Sequence, residues 1–226
     1  MPRPNLIVFD LDGTLVDTAP DLAATMNVLL ENHGRPRLAL DSVRLMVGRG
    51  ARVLMQRAMA ATGDPVDDAA LNRLVEEFVA IYEGKIADES RPYDGVVAAI
   101  EEFRRNGHRL AVCTNKPEGL SNLLLRQLGL RDAFSALLGG DSLPVRKPDP
   151  LHLTATIDAA GGRLDDAVLV GDSRTDLDTA RAAGVPFIGV SFGYTETPMA
   201  ELGPDILIDS FAELPAALEA VCAPAS

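Results

Sequence analysis

The chain has little cysteine, little positive charge and no long hydrophobic run, and each shortage excludes a class of protein. Its two cysteines, Cys113 and Cys222, lie far apart, so we expect buried or incidental thiols and no disulfide framework, metal cluster or redox pair. The net charge of −12 argues against general attraction to nucleic acid or an anionic membrane. With neither a signal region nor a bilayer-spanning stretch, the sequence predicts a soluble cytoplasmic protein.

The positive charge that is present is unevenly distributed. Six arginines fall between positions 35 and 57 against a single acid, Asp41. In an acidic protein this segment is a candidate for meeting an anionic small molecule, although solvated helix faces are the simpler explanation for most of the six. The arginines are Arg35, Arg37, Arg44, Arg49, Arg52 and Arg57.

Two acidic residues stand where the first apolar run ends. Asp10 and Asp12 follow residues 6–9, whose branched and aromatic side chains predict a strand buried on both faces. Ligands of open α/β sheets bind at the carboxyl ends of such strands. We therefore assign Asp10 as a nucleophile and Asp12 as the acid/base that serves the leaving and entering oxygens. The alternative is a turn in which Asp and Gly merely end the strand.

Strand and helix patterns alternate along the rest of the chain, which predicts an α/β fold with a parallel sheet between helical layers. Between about Asp17 and Asp88 the apolar spacing predicts helices only, so a helical insertion leaves the fold directly after the first carboxylates. The predicted strands are 6–9, 110–113, 136–138, 168–170, 187–190 and, at an edge, 206–208. The predicted helices are 21–30, one around 51–59, 69–82, 96–105, 118–127, 150–159 and 176–183.

The ends of three later strands also carry polar side chains. In chain order they are a hydroxyl with two further donors, a lysine and an acid pair: Thr114, Asn115, Lys116, Lys147, Asp172 and Asp176. Singly, each has an ordinary explanation, since Thr114 can cap a helix, Lys147 can be a surface residue and the acids can complement a helix dipole. Together they predict that one edge of the sheet carries the chemistry.

This combination fits phosphoryl transfer. Mg²⁺ takes oxygen ligands, commonly a few carboxylates with water and phosphate oxygens, and we expect Asp10 and Asp172 as ligands with Asp176 as a ligand or support. Lys147 offsets the repulsion among these carboxylates and neutralises phosphoryl oxygens. Thr114 and the amides that follow the nucleophile donate to the same oxygens in the transition state.

These residues resemble the four motifs of the haloacid dehalogenase superfamily, in the expected order. The matching stretches are 10–15, 114–115, 147–148 and 171–176. The resemblance implies a Rossmann-like catalytic core of residues 1–16 and 89–226, a helical cap of residues 17–88, Mg²⁺ dependence and an aspartyl-phosphate intermediate. It also implies that the backbone carbonyl of Asp12 is a metal ligand. Since true dehalogenases of the superfamily lack this second aspartate, Asp12 indicates phosphate chemistry.

Four further stretches look closest to bacterial phosphoglycolate phosphatases: 16–22, 47–50, 139–150 and 189–194. We therefore expect the substrate to be a small anionic phosphorylated metabolite, 2-phosphoglycolate first, with no nucleic-acid or membrane partner and, where copies associate, a homodimer. The sequence departs from many relatives at Asp94 and at Thr195-Glu196, and the second departure bears on substrate choice.

The residues that select the substrate are less clearly marked. Arg49, between two glycines of a cap loop, is expected to reach the distal anionic group of the substrate, with Thr114, Asn115 and Lys147 as further substrate contacts. The alternative is that Arg49 faces solvent and the glycines only form the turn. A sugar phosphomutase, a pyrophosphatase and a non-catalytic phosphometabolite-binding protein are the other functions left open.

Overall fold

A six-stranded parallel sheet lies at the centre of the computed structural model, which describes residues 5–221. The strands of the chain are β1 (Leu6–Phe9), β2 (Val16–Asp17), β3 (Arg91–Pro92), β4 (Arg109–Cys113), β5 (Ala136–Leu138), β6 (Ala167–Gly171), β7 (Phe187–Val190) and β8 (Ile206–Ile208). The sheet has the order β5-β4-β1-β6-β7-β8, and β2 pairs with β3 alone. The strand β1 therefore lies between β4 and β6, and its carboxyl end is near the middle of the sheet edge.

Helices cover both faces of this sheet. They are α1 (Ala19–Asn32), α2 (Leu40–Arg44), α3 (Ala51–Thr62), α4 (Asp68–Glu83), α5 (Val96–Arg105), α6 (Glu118–Gln127), α7 (Pro150–Ala159), α8 (Arg174–Ala183), α9 (Met199–Leu202) and α10 (Leu214–Val221). Alternate side chains of β1 enter different cores: Ile7 and Phe9 pack with α5, α6 and α10, whereas Leu6 and Val8 pack with α7 and α8. This alternation explains why the whole strand is apolar.

The helices α1 to α4 form the predicted insertion, and its two ends lie side by side. Val16 pairs with Pro92 and Asp17 with Arg91 in the antiparallel pair of β2 and β3. Next to this pair, the buried carboxylate of Asp21 accepts hydrogen bonds from the backbone of Glu89 and from Ser90. The chain thus leaves and re-enters the sheet region through two tethered linkers. The division into a core and a cap stays a prediction.

The predicted α/β architecture is confirmed, and the differences are local. The helix α8 begins at Arg174, two residues earlier than predicted, because Ser173 caps it and pairs with Asp176 in a capping box. The helix α1 likewise begins at Ala19 because Pro20 lies in its first turn. The sequence did not predict the short elements β2, β3, α2, α9 and α10, and Asp17, at the predicted start of the insertion, lies in a strand.

Cys113 is buried and free, as expected, and Cys222 lies outside the described residues. Within residues 5–221, no helix combines the length and the apolar character needed to cross a bilayer.

Candidate active site

Side chains from three strand ends converge at the carboxyl edge of the sheet. Asp10 follows β1, Lys147 lies in the loop after β5, and Asp172 and Asp176 follow β6. The Lys147 Nζ lies 2.9 Å from Asp10 Oδ1 and 2.6 Å from Asp176 Oδ1. One carboxylate oxygen from each of Asp10, Asp172 and Asp176 lies within 4.8 Å of the other two. Residues more than 100 positions apart therefore form one buried cluster.

Local hydrogen bonds fix the direction of the Asp10 and Asp172 carboxylates. The Leu11 N–H donates to Asp10 Oδ1 at 2.7 Å. The Thr14 hydroxyl donates to Asp172 Oδ1 at 2.8 Å, and the Tyr194 N–H donates to Asp172 Oδ2 at 2.6 Å. Asp172 is therefore held both by the loop after β1 and by the loop after β7.

Asp176 serves the helix and the cluster at once. Its Oδ2 accepts hydrogen bonds from the backbone and hydroxyl of Ser173, which completes the capping box of α8. Its Oδ1 accepts from Lys147. Asp176 thus lies both at the first turn of α8 and beside the other two carboxylates.

A buried histidine, which the sequence did not indicate, supports the Lys147 loop. His152 Nδ1 accepts from the Lys147 N–H at 3.3 Å, and Nε2 lies 3.0 Å from the Gly139 carbonyl. Because a carbonyl can only accept, Nε2 carries the proton in this arrangement. Burial, with Lys147 adding to it, lowers the pKa of His152 to about 4, so the ring stays neutral near pH 7.

Burial and mutual repulsion both disfavour the charged forms of the carboxylates in this cluster. Burial raises the pKa of Asp10 to about 7; Lys147 opposes that rise and Asp176 adds to it. Burial also raises the pKa of Asp172 well above its ordinary range, and repulsion from Asp176 and Asp10 acts in the same direction. Burial by itself lowers the pKa of Lys147, but the attraction of Asp10 and Asp176 outweighs it and keeps the amine charged.

The donor set of this cluster fits a hard divalent cation. All three candidate ligands are carboxylate oxygens, all are buried, and their separation lets one ion contact them together. One lysine against three carboxylates leaves a negative excess that such an ion neutralises. The cluster therefore has the chemistry of a metal site.

Asp12 points to a different set of partners. Its Oδ1 accepts from the Thr18 hydroxyl at 2.7 Å and from Lys116 Nζ at 3.2 Å. The same Nζ donates to the Tyr82 hydroxyl of α4 at 2.9 Å. The sequence marked Lys116 as a donor beside Thr114, but its contact with Tyr82, on the inserted helices, required the fold.

A partly open cavity lies over Asp10 and Asp12. Thr114, Asn115 and Lys116 line its polar end, and apolar side chains of the inserted helices, including Leu22, Leu54 and Phe78, form another part of the wall. The Asn115 amide donates to the carbonyls of Gly48 and Lys147, each at 3.1 Å. Asn115 thereby joins the loop of residues 47–50 to the Lys147 loop.

Arg49 lies outside that cavity. It lines an adjoining groove with Arg57 and Arg174, and only Val47 and Gly48 border both spaces. Glu196, at one of the unusual positions, pairs with Arg57 in this groove at 3.0 Å. The other arginines of the basic segment contact protein acceptors: Arg35 binds backbone carbonyls, Arg37 pairs with Glu31, Arg44 with Asp17 and Asp41, and Arg52 with Asp68.

Comparison with known proteins identifies the family to which this geometry belongs. A family model described as haloacid dehalogenase-like hydrolase matches residues 4–184. The chain belongs to this family. A protein of Caulobacter vibrioides named phosphoglycolate phosphatase is 49% identical over 211 residues, which cover 93% of the chain and 89% of the relative. One of the same name from Agrobacterium fabrum is 45% identical, over 96% of the chain and 93% of the relative.

A solved structure has nearly the same fold. It is described as a predicted phosphoglycolate phosphatase from Haemophilus somnus 129pt, is 33% identical, and superposes with a TM-score of 0.90 over 96% of this chain and 99% of its own. The predictions that this chain is an enzyme and that it resembles bacterial phosphoglycolate phosphatases are confirmed.

Proposed function

We propose that the chain is an Mg²⁺-dependent phosphatase that hydrolyses 2-phosphoglycolate to glycolate and phosphate through an aspartyl-phosphate intermediate. The observation that carries the proposal is the contact of one buried lysine with two aspartates of a three-carboxylate cluster, of which Asp10 also lines a cavity. Such a cluster suits a negatively charged electrophile, because the cations offset the charge of the carboxylates as well as the charge of the electrophile. The relatives named phosphoglycolate phosphatase support this choice among small phosphomonoesters.

Different residues of the site carry out different steps of the proposed reaction. Asp10 attacks phosphorus, while Asp12, held apart from it by Thr18 and Lys116, protonates the departing alkoxide. Asp12 then takes a proton from the water that splits the aspartyl phosphate. Lys147 holds Asp10 in place and neutralises phosphoryl oxygens, and the Thr114 hydroxyl, which lines the cavity, donates to them.

Asp10, Asp172 and Asp176, together with the backbone carbonyl of Asp12, would hold the magnesium ion. When bound, Mg²⁺ supplies positive charge to the phosphoryl oxygens and restrains their orientation. The contact of Arg49 with the substrate stays a prediction, since Arg49 lines the adjoining groove. A cytoplasmic location and, where copies associate, a homodimer also stay predictions.

A substrate panel tests the proposed function. We expect 2-phosphoglycolate to give the highest kcat/KM among small phosphomonoesters, hexose phosphates and pyrophosphate, and phosphate release to stop with EDTA and return with Mg²⁺. A preference for pyrophosphate would contradict the proposal and indicate a pyrophosphatase. Transfer of the phosphoryl group to a sugar instead of water would indicate a sugar phosphomutase. Tight binding of phosphorylated metabolites without any turnover would make the chain a binding protein.

The close approach of the β1 loop to Asp172 gives a second prediction. Gly13 has φ +85°, and a Cβ atom there would lie 2.4 Å from Asp172 Oδ2. We expect Gly13→Ala to displace Asp172 and lower phosphate release by about 100-fold, because misplacement of a reacting group by about 1 Å has an effect of that size.

Gly107→Ala is the matched control for this change. Gly107 has φ +83°, and a Cβ there meets nothing within 4 Å, so both variants carry the same backbone strain of about 1–2 kcal/mol. The thermal midpoint should therefore fall in both variants, and further in Gly13→Ala because of its additional contact with Asp172, while only Gly13→Ala loses activity. Equal activity in both would show that the contact with Asp172 is unimportant for catalysis.

A further inference from the structure

We infer that Lys116 binds the carboxylate of the substrate and is the residue that selects a phosphorylated acid over an uncharged ester. The inference rests on the proposed function and extends it to a second binding site within the same cavity. Its basis is the position of the Lys116 ammonium, which lines the cavity between Asp12 and Tyr82.

The Lys116 ammonium has a donor to spare. Its side chain is only 4% exposed, and its Nζ lies 2.9 Å from the Tyr82 hydroxyl and 3.2 and 3.5 Å from the two oxygens of the Asp12 carboxylate. An ammonium group carries three N–H donors, and the two shorter contacts, with Tyr82 and Asp12 Oδ1, occupy two of them. The contact with Asp12 Oδ2, at 3.5 Å, is at the limit of hydrogen-bond distance, so the donor that makes it can turn to a ligand in the cavity.

The distance between the Lys116 Nζ and Asp12 matches the spacing of the carboxylate and the ester oxygen in 2-phosphoglycolate. Asp12 serves the ester oxygen that leaves phosphorus, and the substrate carboxylate is attached to the carbon next to that oxygen. The Lys116 Nζ lies one hydrogen bond, 3.2 Å, from Asp12 Oδ1. A group placed one carbon beyond the ester oxygen therefore lies within reach of Lys116.

The charge of the cavity points to the same residue. Among the described residues that line it, Lys116 is the one cation, and Leu22, Leu54 and Phe78 supply apolar wall. A second anionic group without a partner in these surroundings would lose hydration without compensation.

Kinetics on an isosteric pair of substrates tests the inference. The probes are 2-phosphoglycolate and its amide, in which a neutral carboxamide replaces the carboxylate while the phosphate ester is unchanged. We expect the wild-type enzyme to favour the acid by about 50-fold in kcat/KM, the size of one hydrogen bond between charged groups. Lys116→Met should reduce this preference to less than about 5-fold, and Lys116→Arg, which keeps the charge but changes the shape of the donor, should leave an intermediate preference.

The ratio of the two substrates separates recognition from effects on Asp12 or on folding. Any loss that Lys116→Met causes through Asp12 lowers kcat/KM for both esters and cancels in the ratio. Lys85→Met, the same change at an exposed lysine, is the matched control and should behave like the wild type. If Lys116→Met fails to fold, as judged by circular dichroism, Lys116→Arg decides, with a several-fold rise in KM expected for the acid and little change for the amide.

The outcomes that overturn the inference differ from those that overturn the proposed function. Failure of the wild-type enzyme to hydrolyse 2-phosphoglycolate overturns the proposed function, whereas equal hydrolysis of both probes overturns the inference alone. A wild-type preference for the acid that survives in Lys116→Met, or a Lys116→Arg enzyme whose KM is unchanged for the acid, overturns the role of Lys116 alone. Loss of the preference in Arg49→Met instead would place the carboxylate site at the adjoining groove and would likewise overturn it.

Discussion

Replacement of Asp10 by asparagine is expected to lower phosphate release from 2-phosphoglycolate by about 10⁴-fold or more, because an amide cannot attack phosphorus and the change removes the proposed nucleophile. The side chain keeps its size and its Oδ1, which accepts from the Leu11 N–H. Single-turnover measurements with the purified variant, saturated with Mg²⁺ and substrate, check this expectation.

The stability of the same variant should not fall. Burial raises the pKa of Asp10 to about 7, so its charged form destabilises the metal-free fold at neutral pH. A neutral amide removes that cost, and the thermal midpoint without metal should stay level or rise. Asp158→Asn, the same substitution on the exposed side of α7, is the control and should change neither activity nor stability. Near wild-type phosphate release from Asp10→Asn would refute covalent catalysis by Asp10.

Replacement of Lys147 by methionine is expected to damage both catalysis and folding. The change removes the ammonium that contacts Asp10 and Asp176, although the side chain keeps a similar length. We expect kcat/KM to fall by about 10³-fold, the upper end of the effect of losing one charge-stabilising donor. Loss of one partner from a buried ion pair costs about 3–5 kcal/mol, which lowers the thermal midpoint of a chain of this length by on the order of 10 °C.

The stability loss of this variant should depend on pH. Without Lys147, the folded-state pKa of Asp10 rises further above its unfolded value, so the folded variant binds more protons than the unfolded chain between those two pKa values. The stability of the variant therefore decreases as pH rises through this window, and the loss relative to wild type is smaller at pH 5 than at pH 8. Thermal unfolding at both pH values, without metal, measures this difference. An equal loss at both would show that the charge of Lys147 does not offset the carboxylates.

Much of the fold was predictable because its signals are local. Residues 6–9 form an uninterrupted apolar run since Ile7 and Phe9 enter one core while Leu6 and Val8 enter the other. The two-residue strands β2 and β3 left no such signal, because two residues are too few to show an alternation. Their pairing depends on chain segments that are separated by the whole insertion.

The candidate site was predictable as a set of positions but not as a set of contacts. Asp10, Lys147, Asp172 and Asp176 could be chosen because each follows a strand, and parallel strands bring their carboxyl ends to the same edge. The hydrogen bond from the Thr14 hydroxyl to Asp172 could not be predicted from the sequence, because it joins residues 158 positions apart.

The residues that face the substrate are the part least determined by sequence pattern. Arg49 is conspicuous between two glycines, yet it lines the adjoining groove. Lys116, which lines the cavity, stands beside the more obvious Thr114, and its partner Tyr82 belongs to the insertion. A cavity wall assembled from a strand-end loop and an inserted helix depends on tertiary packing, which local periodicity does not encode.

The central claim, that Asp10 carries the phosphoryl group during turnover, is tested most directly by trapping the intermediate. The enzyme is mixed with ³²P-labelled 2-phosphoglycolate and Mg²⁺, quenched in acid within one turnover, digested at low pH and analysed by mass spectrometry. Phosphoryl label on the peptide that contains Asp10, absent from the Asp10→Asn variant, is the predicted result. Label on another residue, or rapid phosphate release with no labelled peptide at any quench time, would contradict it.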